Sequence, residues 1–141
     1  VISDGKHLSR EMLLVAFRLM GYDRLAIITD AMRGAGMPDG EYAFGPRNGL
    51  VAVVRNGEAR VPDGTSLASS CFGMNQMVRV FHDLVGCPLW QAVHMGSLTP
   101  ARILGVADQL GSLAKGKQAD ILLLDPQLDV KATYVAGVQV Q

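Results

Sequence analysis

The 141-residue sequence carries no excess charge: 13 basic residues balance 13 acidic ones, and only 18% of positions are charged. That balance leaves no electrostatic footprint for nucleic acid, and without a polybasic run there is no signature of anionic-lipid binding. Long hydrophobic runs are missing too. The longest, Met12 to Phe17 and Leu50 to Val54, fall far short of the ~18 apolar residues that cross a bilayer, and no signal-peptide pattern opens the chain. Neither nucleic acid nor a membrane is an expected partner. Cysteine is scarce: Cys71 and Cys87 have neither CxxC spacing nor the density of a disulfide scaffold, so a reducing, cytoplasmic setting is the expectation. Internal repeats and low-complexity tracts are also absent. What is abundant is apolar sequence, at 49%. A chain of this size can bury roughly 68% of its unfolded surface, enough for a core without staples. It opens on Val1 and runs straight into motif-like sequence, so the expectation is a piece of a larger unit.

Ser9 followed by apolar residues at helical spacing, with Gly21 beyond them, predicts a helix of about three turns. Arg24 to Ile28 is a short aliphatic run that ends in Thr29 and Asp30, the pattern of a strand buried on both faces. Gly34, Gly36, Pro38 and Gly40 then mark a loop. Three short strands are predicted over Glu41–Phe44, Leu50–Val54 and Glu58–Val61, with Asn56-Gly57 as a hairpin signal between the last two. Asp63 to Ser66 reads as a turn. Met74, Met77, Val78, Phe81, Leu84 and Val85 share one face of a helix that Gly86 ends. Pro88 opens a shorter helix through Met95, and Thr99-Pro100, as N-cap and first-turn proline, opens another that stops at Gly105. Strands return at Ile121 to Leu124 and at Thr133 to Val140, the latter bent at Gly137. The order predicts an α/β body with a smaller β element attached.

Several constellations invite chemistry. Gly34, Gly36 and Gly40 follow an apolar segment, but a dinucleotide fingerprint needs its third glycine three residues after the second and must open a helix, and this one leads into β sequence. Cys87 with His94, or Cys71 with His82, could form a thiolate–imidazole dyad; buried structural cysteines and a solvated His82 are the plainer alternative. These four residues lack the paired spacing of a zinc site. Asp30 stands out, because a carboxylate that ends a buried strand is costly unless it faces a polar cleft, and strand C-terminal ends are where ligands sit in parallel sheets. The alternative is a helix or turn cap. His7, after Asp4-Gly5 and before the Ser9 helix start, has the same placement one segment earlier, with an ordinary loop histidine as its alternative.

Taken together, Ile2-Ser3-Asp4-Gly5-Lys6-His7, Thr29-Asp30-Ala31-Met32 with Ala35 through Tyr42, Leu67-Ala68-Ser69-Ser70, Thr99 through Gly105, and Gly111 through Leu124 resemble the C-terminal part of N-acetylglucosamine-6-phosphate deacetylases, of the amidohydrolase superfamily. The Thr29 to Tyr42 stretch is the most specific. The resemblance implies an α/β fold: the C-terminal part of a metal-dependent (β/α)8 barrel plus part of a small β-sandwich domain. Residues 1–40 would end the barrel as its strands seven and eight, 41–62 and 111–141 would belong to the sandwich, and 63–110 would be C-terminal helices packing on the barrel. It implies Asp30 as the catalytic residue, beside a metal-bound water, and Asp4, Gly5, Lys6, His7, Leu67, Ala68 and Ser69 as substrate-binding. Ser66 interrupts the usual run before that last loop, and Ser69 stands where the family tends to have glycine.

The resemblance also implies a divalent metal, zinc being the expected ion, whose ligands (a glutamate and two histidines on earlier strands) have no counterparts here. Hydrolysis of an amide needs an activated water, a polarised carbonyl and a proton for the departing amine. The implied reaction converts N-acetylglucosamine 6-phosphate to glucosamine 6-phosphate and acetate, with Asp30 moving the proton and His7 orienting the sugar or stabilising oxyanion charge. The partner is thus a small amino-sugar phosphate, the complete enzyme a homodimer, and the chain alone inactive, with sticky apolar faces on the Ser9 to Met20 helix and on strand eight, Leu25 to Thr29. Two alternatives remain open: an amidohydrolase acting on a different N-acyl substrate, and a non-catalytic binding or assembly domain.

Overall fold

The computed structural model describes residues 1–46 and 49–141. Its first helix, α1, spans Arg10–Met20; the Ser9 hydroxyl accepts from the Met12 amide and the Gly21 amide closes the last turn on Phe17 O. These are the end groups that a helix leaves unsatisfied. α1 connects two extended segments that lie side by side, because Ile2 and Ile28 pair in parallel and the Ile28 amide donates to Val1 O at 2.9 Å.

The second of these segments departs from expectation. Leu25 and Ile27 are buried, but Ile28 is 49% exposed and the ladder with Val1–Ser3 is a single bridge. A parallel strand is covered on both faces only where layers pack on both. Here Leu25 and Ile27 share one core with α1, α2 (Met74–Val85) and α3 (Leu89–Gly96), and the Ile27 amide itself donates to Met95 O. The outer face of α1, with Met12, Val15 and Leu19, is likewise exposed.

α2 follows its apolar stripe. Met77, Val78 and Phe81 are buried, and Gly86, in the left-handed conformation at φ 74°, closes the C-terminus. The main core gathers Leu13, Ile27, Met77, Phe81, Ala92 and Met95, with Phe17 edge-on to Phe81 at 5.8 Å. α4 covers Leu98–Ile103 and corrects the expected cap. Ser97 occupies the N-cap position, while Thr99 is buried inside the first turn, where its hydroxyl donates to Tyr22 O at 2.8 Å and meets His94 Nδ1 at 3.0 Å. A buried hydroxyl with tertiary partners is not free to cap.

Two separate antiparallel sheets complete the fold. The first has the order β1 (Gly40–Phe44), β2 (Leu50–Arg55), β3 (Glu58–Arg60). Arg55 pairs with Glu58 across Asn56-Gly57, both at positive φ (51° and 69°), the geometry of a type I′ turn. Its own small core holds Met32, Ala52, Val54, Ala59 and Ala68. The second has the order β4 (Ile121–Leu124), β5 (Val130–Val135), β6 (Val138–Gln139). The single bent strand expected over Thr133–Val140 is instead a complete hairpin. Ala136 and Gly137 both take positive φ (50° and 81°), so the chain reverses where only a bend was expected.

Candidate active site

Parallel pairing of Ile2 with Ile28 sends the next residues of both segments out at the same end, as parallel strands require. Asp4–His7 and Thr29–Asp30 therefore leave the core together. The first loop is built around Asp4, which is buried. Its Oδ1 accepts the amides of Lys6 (2.9 Å) and His7 (3.0 Å), and its Oδ2 meets His7 Nδ1 at 2.8 Å. Burial pushes this carboxyl upward, but the two amides and the His7 ring outweigh it and hold it below the usual carboxylate range.

That depression has a testable sign. A carboxylate with a lowered folded-state pKa adds stability that is full above its unfolded value and is lost as pH falls through the folded one. Asp4→Asn should therefore lower the urea midpoint at pH 7, and the gap to wild type should close as pH drops below about 4. A gap that stays constant from pH 7 to pH 3 would remove the carboxylate from the account.

Lys6 turns away from this loop toward the first sheet. Its Nζ donates to Gly57 O at 3.1 Å, lies 3.4 Å from Glu58 Oε2 and sits 5.7 Å from the Phe72 ring centroid. It thus ties the loop to the β2–β3 hairpin.

Asp30 is exposed, at φ 47°. The left-handed region is uncommon for residues other than glycine, though aspartate and asparagine tolerate it, and its occurrence in a loop beside polar groups marks candidate functional positions. Among the described residues, no hydrogen bond or ion pair engages its carboxylate. Its main chain is tightly held: Asp30 O accepts the Ser70 amide (3.0 Å), the Met32 amide donates to Ser70 O (2.9 Å), and Ser70 Oγ donates to Thr29 O (2.6 Å). These bonds lay the Leu67–Ser70 segment beside Thr29–Met32. Its other side joins the first sheet through the Arg60–Leu67 bridge and the Ala68 amide, which donates to Ala59 O.

The three segments singled out from the sequence are thus linked by backbone pairing, although their side chains differ in availability. Ala68 is fully buried in the first sheet's core, so its side chain faces the protein. Ser69 takes φ 64°, a conformation that suits glycine better than serine. Sequence reasoning noted Ser70 only as part of a motif; its role as the buried clasp on Thr29 needed the tertiary structure.

The competing readings dissolve. His82 Nδ1 bonds Cys87 O (2.7 Å) and His94 Nδ1 bonds Thr99 Oγ1, so neither ring is paired with a thiol. His82 is half-buried on this carbonyl, where a solvated ring was expected. Burial pushes both the Cys71 and Cys87 thiols up, against nucleophilic activation. Gly34 is small because Tyr42 and Val54 press on it, at 2.6 and 2.8 Å from where a Cβ would stand. Gly40 begins β1, where the dinucleotide fingerprint would open a helix. Among the described residues, no three His, Cys, Asp or Glu side chains converge as a metal site. A groove of about 560 Å³ lies elsewhere, between α2, α3 and β4, and is lined by residues such as Met74, Val78, Trp90 and Leu122.

The Amidohydrolase family model matches residues 28–140. An N-acetylgalactosamine-6-phosphate deacetylase from Escherichia coli O157:H7 is 37% identical over 97% of the chain, and an N-acetylglucosamine-6-phosphate deacetylase from Vibrio furnissii 36% identical over 97%. The crystal structure of N-acetyl-D-glucosamine-6-phosphate deacetylase from Mycobacterium smegmatis covers the whole chain with a TM-score of 0.90 at 36% identity. The chain spans 35%, 33% and 37% of these relatives' lengths, respectively. A backbone shared to this degree defines the amidohydrolase fold. The chain belongs to the amidohydrolase family.

Proposed function

We propose that this chain is the C-terminal part of a deacetylase acting on N-acetylglucosamine 6-phosphate, releasing acetate and glucosamine 6-phosphate. The observation that carries the reading is the backbone clasp that joins Thr29–Met32 to Leu67–Ser70 and leaves the Asp30 carboxylate exposed and unpaired among the described residues. Water adds to the acetyl carbon, Asp30 accepts its proton, and the C–N bond breaks as that proton passes to the amine nitrogen. Amidohydrolases typically use a divalent metal. The described residues do not by themselves form a site for one, so zinc, the ion we assign, takes its ligands from other residues.

In this reading residues 1–40 end a (β/α)8 barrel and 63–110 pack helices on it, while 41–62 and 111–141 contribute to a β-sandwich. The exposed apolar faces of α1 and Ile28 belong against the remainder of the barrel, in a cytoplasmic homodimer. Among the described residues, no helix is long and apolar enough to cross a membrane.

Acetate release by the protein expressed from its genomic reading frame tests the function. N-acetylglucosamine 6-phosphate should be the preferred substrate, with the galactose epimer and simple N-acyl amines as comparisons. The epimer has a specific motive, since two Escherichia coli relatives carry its name. Release from none of them would leave a binding or assembly domain. His7→Ala should lower kcat/KM by ~5 to 150-fold, the equivalent of about 1 to 3 kcal/mol for a lost hydrogen bond to a buried polar ligand. Unchanged constants would reduce His7 to a structural loop residue.

A further inference from the structure

All the acceptor capacity that the Asp4 carboxylate directs at its own loop is spoken for. Oδ1 holds two backbone amides and Oδ2 faces the His7 ring nitrogen, and the Asp4 side chain is only 4% exposed. Beneath the loop, Ser3 Oγ donates to Met77 O, and a Cβ on Gly5 would meet Val80 and Leu84 at 3.6 and 3.8 Å, so α2 lies against the loop from below. An ionised carboxylate only accepts hydrogen bonds, so the imidazole nitrogen that meets it must carry the hydrogen.

We infer that Asp4 is a positioning residue, which locks neutral His7 in the Nδ1–H tautomer and so presents Nε2 to a ligand as a hydrogen-bond acceptor. His7 then recognises a donor, a sugar hydroxyl or an amide N–H, in its neutral form. It can serve a phosphate or an oxyanion only as the imidazolium. This moves Asp4 from contacting substrate to orienting the residue that does. The ligand assignment rests on the proposed deacetylase function, whereas the tautomer does not.

The Asn variant separates the two roles. In Asp4→Asn the Lys6 and His7 amides still require the side-chain oxygen, which turns the amide NH₂ toward the ring. His7 Nδ1 must then accept, and the neutral ring shifts to the Nε2–H tautomer. Nitrogen-15 imidazole spectra of the protein expressed from its genomic reading frame, recorded where the rings are neutral, read this directly, with His82 and His94 as internal references. Wild type should show Nδ1–H at His7, Asp4→Asn should show Nε2–H, and the two reference rings should not change.

In the acetate-release assay Asp4→Asn should reproduce the ~5 to 150-fold loss given for His7→Ala. An Nε2–H ring in wild type overturns the inference without recourse to any variant, so a failure of Asp4→Asn to fold does not shield it. A tautomer shift with full activity overturns the positioning role. Absence of acetate release by wild type, with the Nδ1–H ring in place, overturns the deacetylase reading and leaves the tautomer assignment standing.

Discussion

Asp30→Asn should lower turnover of the sugar phosphate by about 10² to 10⁴, the usual contribution of a positioned acid–base group. The substitution is clean for two structural reasons. The carboxylate is exposed and makes no hydrogen bond among the described residues, so no buried partner is orphaned. The backbone sits at φ 47°, where asparagine is as well tolerated as aspartate, and the bonds from Ser70 to Thr29 and Asp30 use main-chain oxygens that the variant keeps. Thermal melting should therefore be nearly unchanged while acetate release collapses. Asp30→Ala would mix lost chemistry with backbone strain, which makes asparagine the informative choice. Near-normal turnover in Asp30→Asn would make this residue a turn former and withdraw the proton-transfer step.

The largest effect on stability belongs to Phe81→Ala. Phe81 has no exposed surface, packs edge-on to Phe17 of α1, and lies in the cluster with Leu13, Ile27, Met77 and Met95. Removing the ring forfeits its burial and leaves a cavity that helices anchored on both sides cannot readily close. Such truncations cost about 3 to 5 kcal/mol, a large fraction of the roughly 5 to 15 kcal/mol that holds a domain together. Urea titration followed by circular dichroism should show the midpoint falling steeply, with Phe81→Leu losing much less. A loss below about 1 kcal/mol would mean that the core relaxes around the gap. Because α2 also carries the Ser3 and Gly5 contacts, loosening it should blunt the Asp4–His7 loop as well.

Elements whose causes lie within a few residues were legible directly. The α1 cap at Ser9, the I′ turn at Asn56-Gly57 and the α2 stripe ended by Gly86 each follow from side-chain chemistry or from the φ values a residue tolerates. Asp30 and His7 were legible as candidates for a similar reason: a charged or titratable group directly beyond an aliphatic segment stands out against its neighbours. Where longer-range contacts entered, local reading failed. Thr99 resembled an N-cap until burial gave its hydroxyl to Tyr22, 77 residues away in sequence. The Arg24–Ile28 segment has the composition of a strand covered on both faces, yet composition cannot say how many layers pack on it, and Ile28 is half exposed.

By itself, then, the sequence determined the helices, the first hairpin, the family resemblance and the residues worth suspecting, because propensity, capping and periodicity act over a turn or two of chain. Only the tertiary structure decided which suspects stand together. The clasp from Ser70 to Thr29 joins positions 41 residues apart, and Lys6 reaches Gly57 across 51. The first forms because buried backbone groups must find partners once the core excludes water; for both, which partners are within reach is a property of the packed chain.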